Sequence, residues 1–227
     1  MRRLCIVMAA SVLAACWAGA AEPDKEGFVP LFNGKDITGW VERHKGGYAV
    51  EDGVLVCKAG IAGNYLFTEK EYANFVLRFE FRLTPGGNNG LGIRAPLEGT
   101  IAYTGIEFQI LDNTHPKYAK LQPYQYHGSI YGCVPARRGH LKPVGEWNRE
   151  EIAANGTKLK CILNGTVIVD ADIQPILDSG ETMDGKGTKG HPGLLRKKGR
   201  IALLGHGDRL EFRNIRVKVL PERPSTP

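Results

Sequence analysis

Between Phe75 and Leu83 the apolar residues Phe75, Leu77, Phe79, Phe81 and Leu83 alternate with Val76, Arg78, Glu80 and Arg82. A period of two puts every aromatic on one face of an extended chain, whereas a helix would scatter them around its circumference. The same period returns at 157–163 and 167–170, joined by Asn164-Gly165, the dipeptide that best supplies two positive φ values in a type I′ hairpin turn. A second hairpin is predicted at 48–50 and 54–56 around Asp52-Gly53. Near the C-terminus, Leu210 and Phe212 occupy even positions while Ile215, Val217 and Val219 occupy odd ones, so a β-bulge is expected near Arg213-Asn214. No long window carries helical spacing, and glycine punctuates almost every segment. The expected fold is all-β, a jelly-roll sandwich of two antiparallel sheets. Residues 113–146 and 174–200 lack strand periodicity, and loops of that length usually serve as lids or binding walls.

The chain has 227 residues, 42% hydrophobic and 24% charged, which excludes a disordered, collagenous or coiled-coil protein and fits one globular domain. Residues 1–21 read as an export leader: Met1-Arg2-Arg3 is a basic start, and the apolar stretch after it is too short to span a bilayer permanently. Leu13-Ala14-Ala15-Cys16 fits a lipoprotein signal ending before Cys16, and Ala18-Gly19-Ala20 fits ordinary cleavage, so both maturation routes stand open. Either places the mature protein in the periplasm or outer cell envelope, with a membrane reached only through a lipid on Cys16. Without Arg2 and Arg3, 28 basic residues face 24 acidic ones. That small excess, with no long basic run, does not suggest a nucleic-acid partner. Cys57, Cys133 and Cys161 remain in the mature chain; they permit one disulfide at most, and no CxxC or HxH pair suggests structural zinc. They read as small core hydrophobes.

The most informative segment for chemistry is Thr104-Gly105-Ile106-Glu107-Phe108-Gln109-Ile110-Leu111-Asp112. Ile106, Phe108 and Ile110 share the core face, so Glu107 and Gln109 project together from the other; Asp112 joins them only through a bulge. Five of the eight tyrosines, Tyr103, Tyr118, Tyr124, Tyr126 and Tyr131, fall close by, as do His115, His127 and His140. Aromatic rings stack on the C–H faces of sugars, and carboxylate, amide and imidazole groups bond their hydroxyls, so the mixture suits a carbohydrate cleft. In Asn88-Asn89-Gly90-Leu91-Gly92-Ile93-Arg94, Leu91 and Ile93 take the core, Gly92 leaves room for a ligand, and Arg94 is expected to face outward and clamp a ligand oxygen. His206 sits between glycines at a turn.

These motifs resemble the 3-keto-disaccharide hydrolase domain family over roughly residues 27–220, leaving 221–227 as a tail. The resemblance rests on Phe32-Asn33-Gly34-Lys35-Asp36-Ile37-Thr38-Gly39-Trp40, on Val50-Glu51-Asp52-Gly53-Val54-Leu55, and on the segments around Arg94 and Glu107. It continues through Gly145-Glu146-Trp147-Asn148, Gly205-His206-Gly207 and Glu211-Phe212-Arg213-Asn214-Ile215. Leu204 and Gly205 depart from the glutamine and aspartate usual before the His-Gly element. The resemblance implies a concanavalin-like jelly roll acting on glycosides whose C3 hydroxyl a partner sugar 3-dehydrogenase has oxidised. A C3 ketone acidifies the C2 proton, so a base can expel the C1 substituent by elimination, after which water adds. On this reading Glu107 or His127 is the base and Asp112 an orienting or protonating group. Arg94 and His206 lie near the developing charge, Asn89 and Gln109 bind substrate, and Tyr131 with Trp147 form sugar platforms. A divalent cation bridging the 2-hydroxyl and 3-keto oxygens is compatible with the chemistry, but the sequence does not name its ligands.

Two alternatives remain at this level. Glu107-x-Gln109-x-x-Asp112 echoes the carboxylate strand of laminarinase-like retaining glucanases, although its Cα atoms would lie roughly 13 Å apart against carboxyl groups needing about 5–5.5 Å. A non-catalytic carbohydrate-binding module is the other, since jelly rolls host many lectins.

Overall fold

The computed structural model describes residues 22–221. The leader predicted over residues 1–21, Cys16 included, lies outside the described residues, as does the tail from 222 onward. Along the chain run β1 (Val29–Pro30), β2 (Trp40–Glu42), β3 (Tyr48–Glu51), β4 (Val54–Cys57), β5 (Ala62–Tyr72), β6 (Phe75–Leu83) and β7 (Asn88–Ala95). Then follow α1 (Ile101–Thr104), β8 (Ile106–Leu111), β9 (Trp147–Asn155), β10 (Lys158–Leu163), β11 (Thr166–Asp172), α2 (Gln174–Ser179), α3 (Gly187–Gly190), β12 (Gly199–His206) and β13 (Leu210–Val219). Two antiparallel sheets form a concanavalin-like jelly roll. The larger, of eight strands, runs β11-β10-β9-β6-β13-β4-β3 with β1 also on β13; the smaller, of five, runs β2-β5-β12-β7-β8.

Strand periodicity is realised as the sequence demands. In β6 buried and part-exposed residues alternate without a break, and Phe75, Leu77 and Phe81 meet Phe108, Leu91 and Ile93 of the smaller sheet in one core. Burying a side chain of this size contributes about 1.5–3 kcal/mol. Both hairpin turns take the positive φ values of type I′: +50° and +87° at Asn164 and Gly165, +48° and +78° at Asp52 and Gly53. The predicted bulge in β13 is a register shift against β6 between Arg213 and Arg216, with Asn214 at φ +54°. The three cysteines among the described residues, Cys57, Cys133 and Cys161, are buried free thiols.

The excursion between β8 and β9 closes the exposed edge of the smaller sheet. Gly128 donates to the Gln109 carbonyl (2.7 Å), Gln109 to Ser129 (3.0 Å) and Tyr131 to Glu107 (2.9 Å). An edge strand left bare would invite association with another chain; here it is paired, and the pairing brings Tyr131 beside Glu107. A second apolar cluster, of Tyr65, Phe67, Ala95, Ile101, Ala202 and Leu204, covers part of the same sheet's outer face. That cluster corrects the expectation for Gly92: a Cβ there would lie 2.8 Å from the Ile101 Cγ2, so the room it leaves is taken by Ile101 rather than by a ligand.

Candidate active site

On β8 the side chains of Ile106, Phe108 and Ile110 enter the core, and Glu107 and Gln109 point the other way into a hollow of about 210 Å³. Asn88, Thr100, Tyr103, Tyr118, Gln125, Tyr131 and His206 complete its polar and aromatic lining. The volume falls below the roughly 300–1,000 Å³ of pockets that enclose drug-sized ligands, and suits one ring rather than an extended polymer. Glu107 is only 4% exposed. Its Oε1 lies over Gly90, where a Cβ would stand 2.0 Å away, so glycine on the neighbouring strand is what admits the carboxylate. Among the described residues the one basic side chain within 4.0 Å of it is the imidazole of His206, with Nε2 3.9 Å from Oε1.

Phenols surround this carboxylate. Gln125 Nε2 donates to the Tyr131 hydroxyl (3.2 Å), and Tyr103 and Tyr124 meet the Tyr131 ring edge-on at 6.4 and 6.3 Å. Burial pushes the Tyr131 hydroxyl upward, the Gln125 bond opposes it, and Tyr103 and Glu107 add to the rise. Burial first, then the Glu107 charge, does the same at Tyr65. Both phenols therefore stay protonated at neutral pH, and Tyr131, which lines the hollow, can donate to an oxygen beside Glu107. Lys186 donates to the Tyr103 hydroxyl and stands 4.0 Å from the centre of its ring; that bond raises the lysine's pKa and keeps the ammonium charged. Behind Tyr103, at 5.0 Å between rings, lies His191, whose Nε2 is 2.9 Å from Asp184 Oδ2. Burial would raise the Asp184 carboxyl, but bonds from His191 and Thr182 hold it below its usual value.

Of the residues expected at the site, the structure brings Glu107, Gln109, Tyr131 and His206 together and places five elsewhere. Asn89 has the parity of Leu91 and Ile93, so it faces inward; fully buried, it accepts from the Gly90 and Leu204 amides (2.9 and 3.0 Å). Arg94 does not face this hollow, because its φ of +50° breaks the strand's alternation, and its guanidinium turns to the carbonyls of Gly156, Ala73 and Arg196. Asp112 is tied down as a loop anchor, accepting from Gly86 N (2.8 Å), Thr114 N (2.9 Å) and Thr114 Oγ1 (2.6 Å). His127 is buried between the sheets, its ring 5.2 Å from that of Phe81 and its Nε2 3.0 Å from Glu150 Oε2. It is thus outside the Glu107 hollow. Trp147 lies on the outer face of the larger sheet between the guanidinium groups of Arg213 (4.0 Å) and Arg82 (4.9 Å).

Sequence reasoning missed Tyr65, Lys186 and the Asp184–His191 pair. Nothing local marks them: Lys186 stands in a Gly/Lys-rich stretch that reads as a mobile loop, and only the fold returns it to Tyr103. Among the described residues no group of three or more His, Cys, Asp or Glu side chains converges as metal ligands.

Comparison with known proteins agrees with the architecture. A family model described as a 3-keto-alpha-glucoside-1,2-lyase-like domain matches residues 27–218. The chain is 27% identical over 246 aligned positions to a 3-keto-disaccharide hydrolase of Bacteroides thetaiotaomicron, covering 87% of this chain and 80% of that protein. It is 30% identical, with a TM-score of 0.74, to a crystal structure from Parabacteroides distasonis provisionally described as a glycosyl hydrolase; 85% of this chain and 99% of that one are covered. The Bacillus subtilis carbohydrate-binding module CBM66, 14% identical with a TM-score of 0.51 over 80% of this chain and 96% of its own, shares the fold alone. The match over nearly all the described residues, carried by strands whose register is now visible, places the chain in the 3-keto-alpha-glucoside-1,2-lyase-like domain family.

Proposed function

We propose that this protein is a glycoside-cleaving enzyme acting on 3-keto-glycosides, with Glu107 as the base that removes the C2 proton. The observation that carries the reading is Glu107 itself: a nearly buried carboxylate with no Arg or Lys paired to it among the described residues, opening into a hollow lined by phenols. Burying an unmatched carboxylate is costly, and sites tolerate that cost where the group is needed as a base. In the first step Glu107 takes the C2 proton and the C–H electron pair moves toward C3, forming an enolate. The enolate oxygen accepts from the protonated Tyr131 phenol. As the enolate returns to the ketone, C1=C2 forms and the C1–O bond breaks. His206 is positioned to protonate the departing oxygen, and water then adds across C1=C2, its oxygen on C1 and its proton on C2.

The names of the similar proteins support a carbohydrate substrate and hydrolytic outcome. A sugar 3-dehydrogenase must act first, because an unoxidised glycoside has no acidic C2 proton. An export leader at residues 1–21 would put both steps in the periplasm or outer envelope, and the mass of the mature N-terminus distinguishes lipidated Cys16 from plain cleavage. The laminarinase-like reading loses ground because the Asp112 carboxylate is already occupied by the donors of Gly86 and Thr114. The test is aglycone release from a nitrophenyl 3-keto-glucoside by purified protein. We expect turnover there and none on the unoxidised glucoside; binding without turnover of either α- or β-linked 3-keto substrates would return the protein to the carbohydrate-binding class.

A further inference from the structure

A larger cavity, of about 610 Å³, lies at another place on the sandwich, where the β5–β6 turn, the β9–β10 turn, α2 and residues 194–197 meet. It shares no lining residue with the Glu107 hollow. Four cations, Arg94, Lys158, Arg196 and Lys197, line it, and no aspartate or glutamate does. The nearest acid by register, Asp172 opposite Lys158, accepts from the Gln174 amide at 3.0 Å and faces the Lys158 charge from outside the cavity lining, leaving Arg94, Arg196 and Lys197 without an acid there.

Arg94 is the unusual member. It is 3% exposed, yet its guanidinium meets only carbonyls: Gly156 at 2.7 Å, and Ala73 and Arg196 at 3.3 Å, with Nε left without a partner. The surface arginines of the larger sheet behave differently; Arg78, Arg82, Arg209 and Arg213 each contact a glutamate. An arginine does not shed its proton in a protein, and a buried charge without a counter-charge is expensive. Carbonyl dipoles offset part of that cost; an anion entering the cavity would offset the rest. Leu177 and Leu195 supply the cavity's apolar wall, and Leu195 is 63% exposed.

We propose that this cavity binds a ligand bearing a carboxylate on an apolar body, with Arg94 at its base, Lys158 and Lys197 around the head and Leu177 and Leu195 against the body. A monoanion suits the site better than a phosphate, because carbonyls already hold three of the guanidinium's donors and a dianion would bring more acceptors than remain.

The probe is benzoate, titrated at fixed ionic strength and followed by amide NMR shifts, with inorganic phosphate as comparator. We expect saturable shifts at Gly156, Leu195 and Lys197 with benzoate, and weaker ones with phosphate. Lys158→Gln/Lys197→Gln, at exposed positions, should weaken benzoate binding about five- to tenfold while aglycone release is unchanged. Glu107→Gln should leave benzoate binding intact, which separates this site from the proposed activity. The proposal is overturned by an absence of saturable shifts, by binding that the lysine variant does not weaken, or by phosphate binding as tightly as benzoate.

Discussion

The two outer faces of the sandwich put their charged and aromatic side chains to opposite ends. On the larger sheet the charges are matched: Arg78 pairs with Glu26 and Glu151 (2.5 and 2.6 Å), Arg213 with Glu80 (2.7 Å), and Arg209 with Glu51 (2.8 Å). Trp147 is covered by arginines there, and a groove of about 560 Å³ is walled by Arg78, Glu80, Arg149 and Glu151. On the smaller sheet a hollow of about 210 Å³ holds one unmatched carboxylate among phenols. Cavity size would favour the first face. Charge balance favours the second, because a carboxylate already satisfied by guanidinium has little basicity left to offer a substrate.

The comparison breaks most sharply at Glu107. Glu107→Gln keeps the shape and removes the proposed base, so kcat on a 3-keto-glucoside should fall about 10²–10⁴-fold with an unchanged circular dichroism spectrum. Gly90→Ala acts on the same group from the adjacent strand. Its Cβ would stand 2.0 Å from Oε1, so the carboxylate must shift, and a misplacement of about 1 Å can cost on the order of 10²-fold in kcat. His206→Asn should largely spare nitrophenyl aglycones and cost about 10²-fold on alkyl ones if His206 supplies the proton; equal losses for nitrophenyl and alkyl aglycones would remove it from that role.

Stability sharpens the contrast further. Burial opposes the ionised Asp112, but the Thr114 and Gly86 donors hold its carboxyl below the ordinary 3.8. Its contribution is therefore full above that value and is lost as pH falls through the lower, folded one. Acid unfolding followed by fluorescence should accordingly begin below about pH 4, and Asp112→Asn should flatten that part of the curve. Arg213→Ala, on the matched face, should cost about 0–1 kcal/mol and leave turnover untouched. A large loss of activity there would place function on the larger sheet after all.

What could be read from the sequence follows physical range. Strands and hairpins were legible because alternation and turn dipeptides such as Asn164-Gly165 are local. The convergence of Glu107, Gln109 and Tyr131 in one hollow was legible because parity and proximity in sequence sufficed. Arg94 was misplaced because one positive φ reversed the parity, and His127 because the path of a long excursion is set by what it packs against, here Phe81 and Glu150. Asn89 was legible and misread, since its parity with Leu91 already assigned it to the core. Lys186 and His191 reach Tyr103 only through tertiary folding.

The most direct test of Glu107 as a C2 base is a 3-keto-glucoside deuterated at C2, incubated with enzyme and followed by NMR. Glu107-dependent elimination predicts slowed aglycone release and replacement of the C2 label by solvent hydrogen, both lost in Glu107→Gln. Release at full rate with the deuterium retained at C2 would contradict the account.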